Sequence, residues 1–269
     1  MERTPVVIVT GASRGLGASV AQWLGRAGAG VCLVARNEEK LAAVAEKVKN
    51  HGGVPLEVPA DVALWEPCLG VVNQTLRRFG RIDALVNNAG LFEPIARIAQ
   101  ADPADWLYNI QVNLLGPFYL VKAALEHLRK HGGHVVNVSS GAARHPIHGG
   151  SAYCAAKAAL THFTAVLAAE EPAVTAVAVR PGVVDTDMQV LLRREAPKAM
   201  PPEEACYYER IKTEGLLENP DVPARSIAWL ALNAPASWSG RFLDYDDPRV
   251  AGPAGDFFSL SGSTPGRRE

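Results

Sequence analysis

The sequence predicts an α/β fold, a doubly wound parallel sheet (Rossmann fold) of about seven strands in one domain with helices on both faces. Short apolar runs rich in Val and Ile alternate with longer stretches of helical period along most of the chain, as successive βαβ units require. Several runs are apolar at consecutive positions, as strands read when both sheet faces are covered. A Gly-rich turn follows the first run, where such a sheet passes into its first helix.

The first strand is expected at 6–10 and the first helix at 15–26, stopped by Gly28 and Gly30. Strand 31–35 leads to helix 38–49, where Glu38 and Glu39 suit the positive end of a helix dipole. Strand 54–58, helix 66–79 and strand 84–87 complete the first half. The second half runs through helix 106–130, strand 134–139, helix 153–170 stopped by Pro172, strand 174–179, helix 223–232 and strand 241–244. Two such halves place the ligand crevice outside the carboxyl ends of the strands, so motifs at strand ends are the site candidates. Residues 188–221 break the alternation with mixed charge and Pro197, Pro201, Pro202 and Pro220, and read as a partly helical lid over substrate. The domain is expected to span 1–247, and the Gly-, Pro- and Ser-rich stretch 248–269 to be a flexible tail.

With 269 residues, 48% of them hydrophobic, the chain can bury one sizeable core. A net charge of -1 offers no broad basic field for nucleic acid or an anionic membrane surface. Cys32, Cys68, Cys154 and Cys206 form no Cys-x-x-Cys pair, which argues against zinc or disulfides and for a reducing compartment. His145 and His148 lack a third ligand at suitable spacing, so no metal is expected. The first apolar run starts too early for a leader, and no run approaches the roughly 20 residues that span a bilayer. A soluble, cytoplasmic protein is expected, in which the Asn-x-Ser/Thr triplets at Asn73 and Asn137 carry no sugar.

After the first strand, Gly11, Gly15 and Gly17 are spaced G-x-x-x-G-x-G, enclosing Ser13, Arg14 and Leu16. Gly11 permits a tight turn, Gly15 lets backbone approach a pyrophosphate, and Gly17 lets the helix pack close on the strand. The helix N-terminus then offers free N–H groups to phosphate. At the end of the second strand, where an NAD site normally carries a carboxylate for the ribose, stand Ala35, Arg36 and Asn37. Arg36 and Arg14 could fork a 2′-phosphate, which predicts NADP(H). Further on, Tyr153 and Lys157 lie four apart on one helix face, where an ammonium lowers a phenol's pKa, and Ser140 ends the fifth strand.

In order and spacing, Thr10 to Gly17, Asn87 to Gly90, Asn113, Ser139 and Ser140, Tyr153 to Lys157, and Arg180 to Thr186 resemble the short-chain dehydrogenase/reductase family over about residues 4–247. The resemblance implies that Ser140 orients a substrate carbonyl, Tyr153 is its general acid, Lys157 holds the nicotinamide ribose and depresses the Tyr pKa, and Asn113 holds a relay water. It further implies adenine contacts from Asp61 and Val62, a strand beside the ribose carrying Asn88, Ala89 and Gly90, and cofactor contacts from Pro181, Gly182, Val184 and Met188. Thr186 would anchor the carboxamide.

More loosely, residues 185–189, the Pro-rich lid and 239–248 resemble a fungal subgroup of small carbonyl reductases related to benzil reductase and sepiapterin reductase. That implies a small-molecule carbonyl substrate, a dicarbonyl or aromatic ketone, near Leu91, Phe92, Ile147, Met188, Met200, Tyr207 and Tyr208. A homodimer or homotetramer is implied too, with Trp106, Tyr108 and Phe118 serving an interface or the core. Two other readings stand beside this one: an NADP(H)-sensing regulator without turnover, and an alcohol dehydrogenase for a sterol, sugar or acyl thioester. The intact Ser140, Tyr153 and Lys157 set speaks against the first, and the apolar lid against sugars.

Overall fold

The computed structural model describes residues 4–261. Its elements are β1 (Val6–Thr10), α1 (Gly15–Arg26), β2 (Gly30–Ala35), α2 (Glu38–Asn50), β3 (Val54–Pro59), α3 (Trp65–Phe79), β4 (Ala84–Asn87), α4 (Pro103–Ile110), α5 (Gly116–His131) and β5 (His134–Val138). They continue with α6 (Ser151–Glu170), β6 (Thr175–Arg180), α7 (Asp187–Ala199), α8 (Pro202–Thr213), α9 (Asp221–Asn233), β7 (Phe242–Asp244) and α10 (Pro248–Ser261). The seven strands are parallel in the order β3-β2-β1-β4-β5-β6-β7. The chain therefore winds outward from β1 to β3 and returns to pair β4 with β1, which opens a crevice at their carboxyl ends.

Successive side chains of a strand face opposite sides, and both sides are apolar here. Val7 and Val9 of β1 enter a core closed by α1, α2, α9 and α10. Ile8 enters the other, closed by α3, α5 and α6. The helix α6 has the length and apolarity of a membrane-crossing helix, at 20 residues and mean hydropathy 1.2. That corrects the expectation that no such run exists. Tyr153, Lys157 and Leu160 on it are nevertheless buried in the folded chain.

Three further expectations change. The stretch from Pro248 is helix α10 up to Ser261, not a flexible tail: Val250 and Ala254 are fully buried, and Phe258 packs on Trp23 at 4.8 Å between ring centroids. Its apolar residues recur at helical spacing, and the Asp247 carboxylate accepts from the Arg249 N–H at 2.9 Å, which outweighs its Gly and Pro content. Residues 262–269 of the expected tail lie outside the described residues. The expected helix 106–130 is α4 and α5 joined through a wide turn at Gln111–Leu115, where the Gly116 N–H reaches back to the Gln111 carbonyl. Pro117 has no N–H for the Asn113 carbonyl and its ring crowds that carbonyl in an ordinary helix, which favours the wider turn. Met200, expected near substrate, is instead packed within the α7–α8 cluster, 4% exposed.

Candidate active site

The ends of β1 and β4 are joined by Thr10. Its hydroxyl accepts from the N–H groups of Asn88 and Ala89, both at 3.0 Å, while the Asn88 amide donates to the Thr10 carbonyl at 2.9 Å. Gly11 adopts φ +65°, and a Cβ there would sit 2.9 Å from the Ala89 backbone. A Cβ on Gly17 would collide with the Gly11 carbonyl, so only glycine lets α1 start this close to the strand.

Above this junction lies a cleft of about 1310 Å³. Every residue predicted to bind cofactor or substrate oxygen lines it, from Gly11, Ser13, Arg14, Gly15, Leu16 and Gly17 through Arg36, Asn37, Asp61 and Val62 to Pro181, Gly182, Val184, Thr186 and Met188. Asn88, Ala89, Gly90, Ser140, Tyr153 and Lys157 line it as well. Asn113 is the exception: it is fully buried, and its amide bonds to the Leu91 carbonyl at 2.8 Å.

The cleft suits a dinucleotide. The N-terminus of α1 has no side-chain cap and no acidic residue in its first turn, so its N–H groups are open to an anion. In contrast, α2 is capped by Asn37, whose side chain accepts from the Lys40 N–H at 2.8 Å, and begins with Glu38 and Glu39. At the rim, Arg14 pairs with Asp187 of α7, and Arg36 donates to the Tyr108 hydroxyl at 2.9 Å. Tyr108 in turn reaches Asp61 at 3.4 Å, and burial, with the Asp61 carboxylate beside it, raises its pKa. An exposed ion pair such as Arg14–Asp187 is worth little, so either arginine can turn to a phosphate at small cost.

At the other end, Tyr153 is 8% exposed and stacked on Phe92 with centroids 4.7 Å apart. Burial raises its pKa above the usual 10, and a hydrogen bond with Ser140 opposes that rise. Ser140 is held at its strand end by the Ala142 N–H, 3.1 Å from its hydroxyl. The Lys157 ammonium donates to the Val138 carbonyl at 2.8 Å and lies 5.6 Å from the Tyr153 ring centre. Burial lowers its pKa to about 8.

Leu91, Phe92, Ile147, Met188, Tyr207 and Tyr208 all line the same cleft, with Leu191 and Leu192 of α7. His148 pairs with Glu204 of α8 at 2.6 Å, and among the described residues no group of three or more His, Cys, Asp or Glu side chains could hold a metal. The three aromatics of the fourth helical stretch separate. Trp106 donates to the Ser151 hydroxyl at 3.2 Å, Tyr108 lines the cleft, and Phe118 is 40% exposed. Sequence reasoning missed Tyr108 as a site residue and overlooked Asn109. The signal for Asn109 was its place four residues before Asn113.

Comparison with known proteins agrees with this geometry. The family model described as short chain dehydrogenase matches residues 5–197. The uncharacterized oxidoreductase YIR035C of Saccharomyces cerevisiae is 37% identical over 91% of this chain and 97% of its own. Its crystal structure superposes with a TM-score of 0.88, covering 92% and 98% of the two chains. Benzil reductase ((S)-benzoin forming) IRC24 of the same yeast is 34% identical over 91% of this chain and 97% of its own. An actinorhodin polyketide ketoreductase solved with NADPH is 27% identical, with a TM-score of 0.80 and coverage of 90% and 95%.

Proposed function

The chain belongs to the short chain dehydrogenase family, and from that premise we propose that it is an NADPH-dependent carbonyl reductase acting on a small, largely apolar ketone or 1,2-diketone. The observation that carries this reading is the placement of Tyr153 beside Ser140 on the wall of one cleft, with Phe92, Ile147, Leu192 and Tyr208 around them. Reduction needs a proton donor beside the carbonyl oxygen. The Tyr153 phenol is such a donor, and the Lys157 ammonium on the same helix face favours release of its proton against the effect of burial.

NADPH bound along the cleft would supply the hydride. The open N-terminus of α1 would hold its pyrophosphate, Arg14 and Arg36 its 2′-phosphate, Asp61 and Val62 its adenine, and Thr186 its carboxamide. As charge grows on the substrate oxygen, Ser140 and Tyr153 hydrogen-bond it and Tyr153 gives up its proton. The Lys157 ammonium, 5.6 Å from the ring, stabilises the phenolate left behind. Phe92, Ile147, Leu192 and Tyr208 exclude water from this step and select apolar substituents. The absence of a carboxylate after β2, and the likeness to a ketoreductase solved with NADPH, support NADPH over NADH. The likeness to benzil reductase supports a diketone.

The reading extends to a cytoplasmic homodimer or homotetramer. Four free thiols suit a reducing compartment, and the exposed Phe118 and Val166 on α5 and α6 offer an apolar face for self-association. Loss of NADPH absorbance with benzil and a panel of ketones, for wild type and Tyr153→Phe, with NADH in parallel, tests the activity. Turnover that needs Tyr153 and prefers NADPH is expected. Tight NADPH binding without turnover would refute catalysis, and preference for NADH would refute the cofactor assignment.

A further inference from the structure

We infer that Asn109 is a positioning residue of the active centre, whose side-chain amide sets the orientation of the Asn113 amide and anchors the backbone that carries Phe92 against Tyr153. The inference rests on the reductase reading above. Asn109 is the last residue but one of α4, four residues before Asn113, and both are fully buried. The Asn109 amide nitrogen donates to the carbonyls of Leu91, Phe92 and Glu93 at 3.2, 3.3 and 2.6 Å. Its oxygen accepts from the Asn113 amide nitrogen at 2.9 Å.

The two ends of an amide are nearly the same size, so hydrogen bonding decides which way Asn113 points. Its nitrogen faces three acceptors: the Leu91 carbonyl at 2.8 Å, the Asn109 carbonyl at 3.1 Å and the Asn109 side-chain oxygen. Its oxygen accepts from the Leu91 N–H at 3.3 Å. That oxygen lies against Gly90, where a Cβ would come within 2.7 Å of it and 3.5 Å of the Lys157 nitrogen. The Asn113 oxygen and the Lys157 ammonium thus face the same glycine. Turning Asn113 over would set its oxygen against three other oxygens and its N–H groups toward the ammonium, both repulsive.

The Asn109 side chain supplies one of those three oxygens, its backbone supplies another, and its amide nitrogen grips the Leu91 carbonyl that supplies the third. The same side chain holds the Phe92 backbone, and the Phe92 ring stacks on Tyr153 at 4.7 Å and 28°. One buried amide therefore couples the Asn113 and Lys157 side of the centre to the Tyr153 side, which is the kind of shared network in which substitutions are not additive.

Asn109→Leu keeps the volume and removes all four hydrogen bonds. With NADPH and a turned-over ketone, kcat is expected to fall about 30-fold while NADPH affinity, read by fluorescence titration, changes less than about threefold. In an Asn113→Ala background the same substitution is expected to cost less, about three- to tenfold further, because its route through Asn113 has already been removed and only its hold on the Phe92 backbone remains. Exchange of the Leu91 amide hydrogen is expected to quicken about tenfold while the β5 amides keep their rates. Equal losses of kcat in the two backgrounds, or an unchanged kcat, would overturn the inference. If Asn109→Leu does not fold, Asn109→Asp, which when neutral keeps one donor and one acceptor, is carried through the same cycle and judged by the same criterion. Should the wild type reduce no ketone, the activity proposal fails separately, and Leu91 exchange decides the positioning role: quickened supports it, unchanged refutes it.

Discussion

Replacing Lys157 with Met is expected to stabilise the protein at neutral pH. Lys157 is 3% exposed, and burial takes its pKa from the ordinary 10.5 to about 8. One pKa unit corresponds to about 1.4 kcal/mol, so carrying this charge inside costs the folded state about 3 kcal/mol at pH 7. Methionine fills similar space without charge but leaves the Val138 carbonyl without the donor now 2.8 Å away. That loss costs about 1–2 kcal/mol. The balance is a gain of about 1–2 kcal/mol, or a Tm higher by about 2–6 °C in a chain of this size.

The pH dependence follows from the direction of the shift. Below pH 8 the lysine is charged in both the folded and the unfolded chain, and the wild type bears the full cost. As pH rises from 8 towards 10.5 the folded lysine has lost its proton while the unfolded one keeps it, so the wild type gains stability and the advantage of Lys157→Met shrinks. By pH 9.5 it should have fallen by about 2 kcal/mol, leaving the variant equal or inferior. Melting of both proteins without cofactor at pH 7 and pH 9.5, followed by circular dichroism, measures this. A Tm difference that is the same at both pH values, or a variant less stable at pH 7, would refute the buried-charge argument.

Tyr153→Phe should lower kcat by about 10²–10⁴-fold with NADPH affinity retained, checked by steady-state rates and fluorescence titration. Arg36→Ala should weaken NADPH binding about tenfold and leave NADH binding nearly unchanged, since the guanidinium would face only the 2′-phosphate. Tyr108→Phe, which removes the hydroxyl between Arg36 and Asp61, should weaken NADPH binding by only about two- to fivefold in the same titration. Phe258→Ala should cost about 2–4 kcal/mol in urea unfolding, because the ring is 7% exposed and packed on Trp23. An effect under 0.5 kcal/mol would show that α10 adds little to stability.

Much of the chemistry was legible because it is local. The Gly-rich turn, the absence of a carboxylate after β2, and Tyr153 one helical turn from Lys157 are spacings along the chain, and each survives in the folded cleft. The alternation that predicted seven strands works for the same reason: a strand buried on both faces must be apolar throughout, whatever its neighbours. Reading 248–261 by composition failed where periodicity would have succeeded, since Val250, Ala254 and Phe258 recur at helical spacing among Gly and Pro.

Sequence by itself therefore determined the fold class, the cleft's place at the strand ends and the chemical groups that line it, because backbone periods and short-range turns set these. Only the tertiary structure decided which groups meet across the sheet. Phe92 stacks on Tyr153, Tyr108 bridges Arg36 to Asp61, and Asn109 binds the loop after β4. Burial raises the Tyr153 pKa against the hydrogen bond from Ser140, and brings that of Lys157 to about 8. These depend on register, helix placement and exclusion of water, quantities summed over the whole packed chain and carried by no segment of it alone.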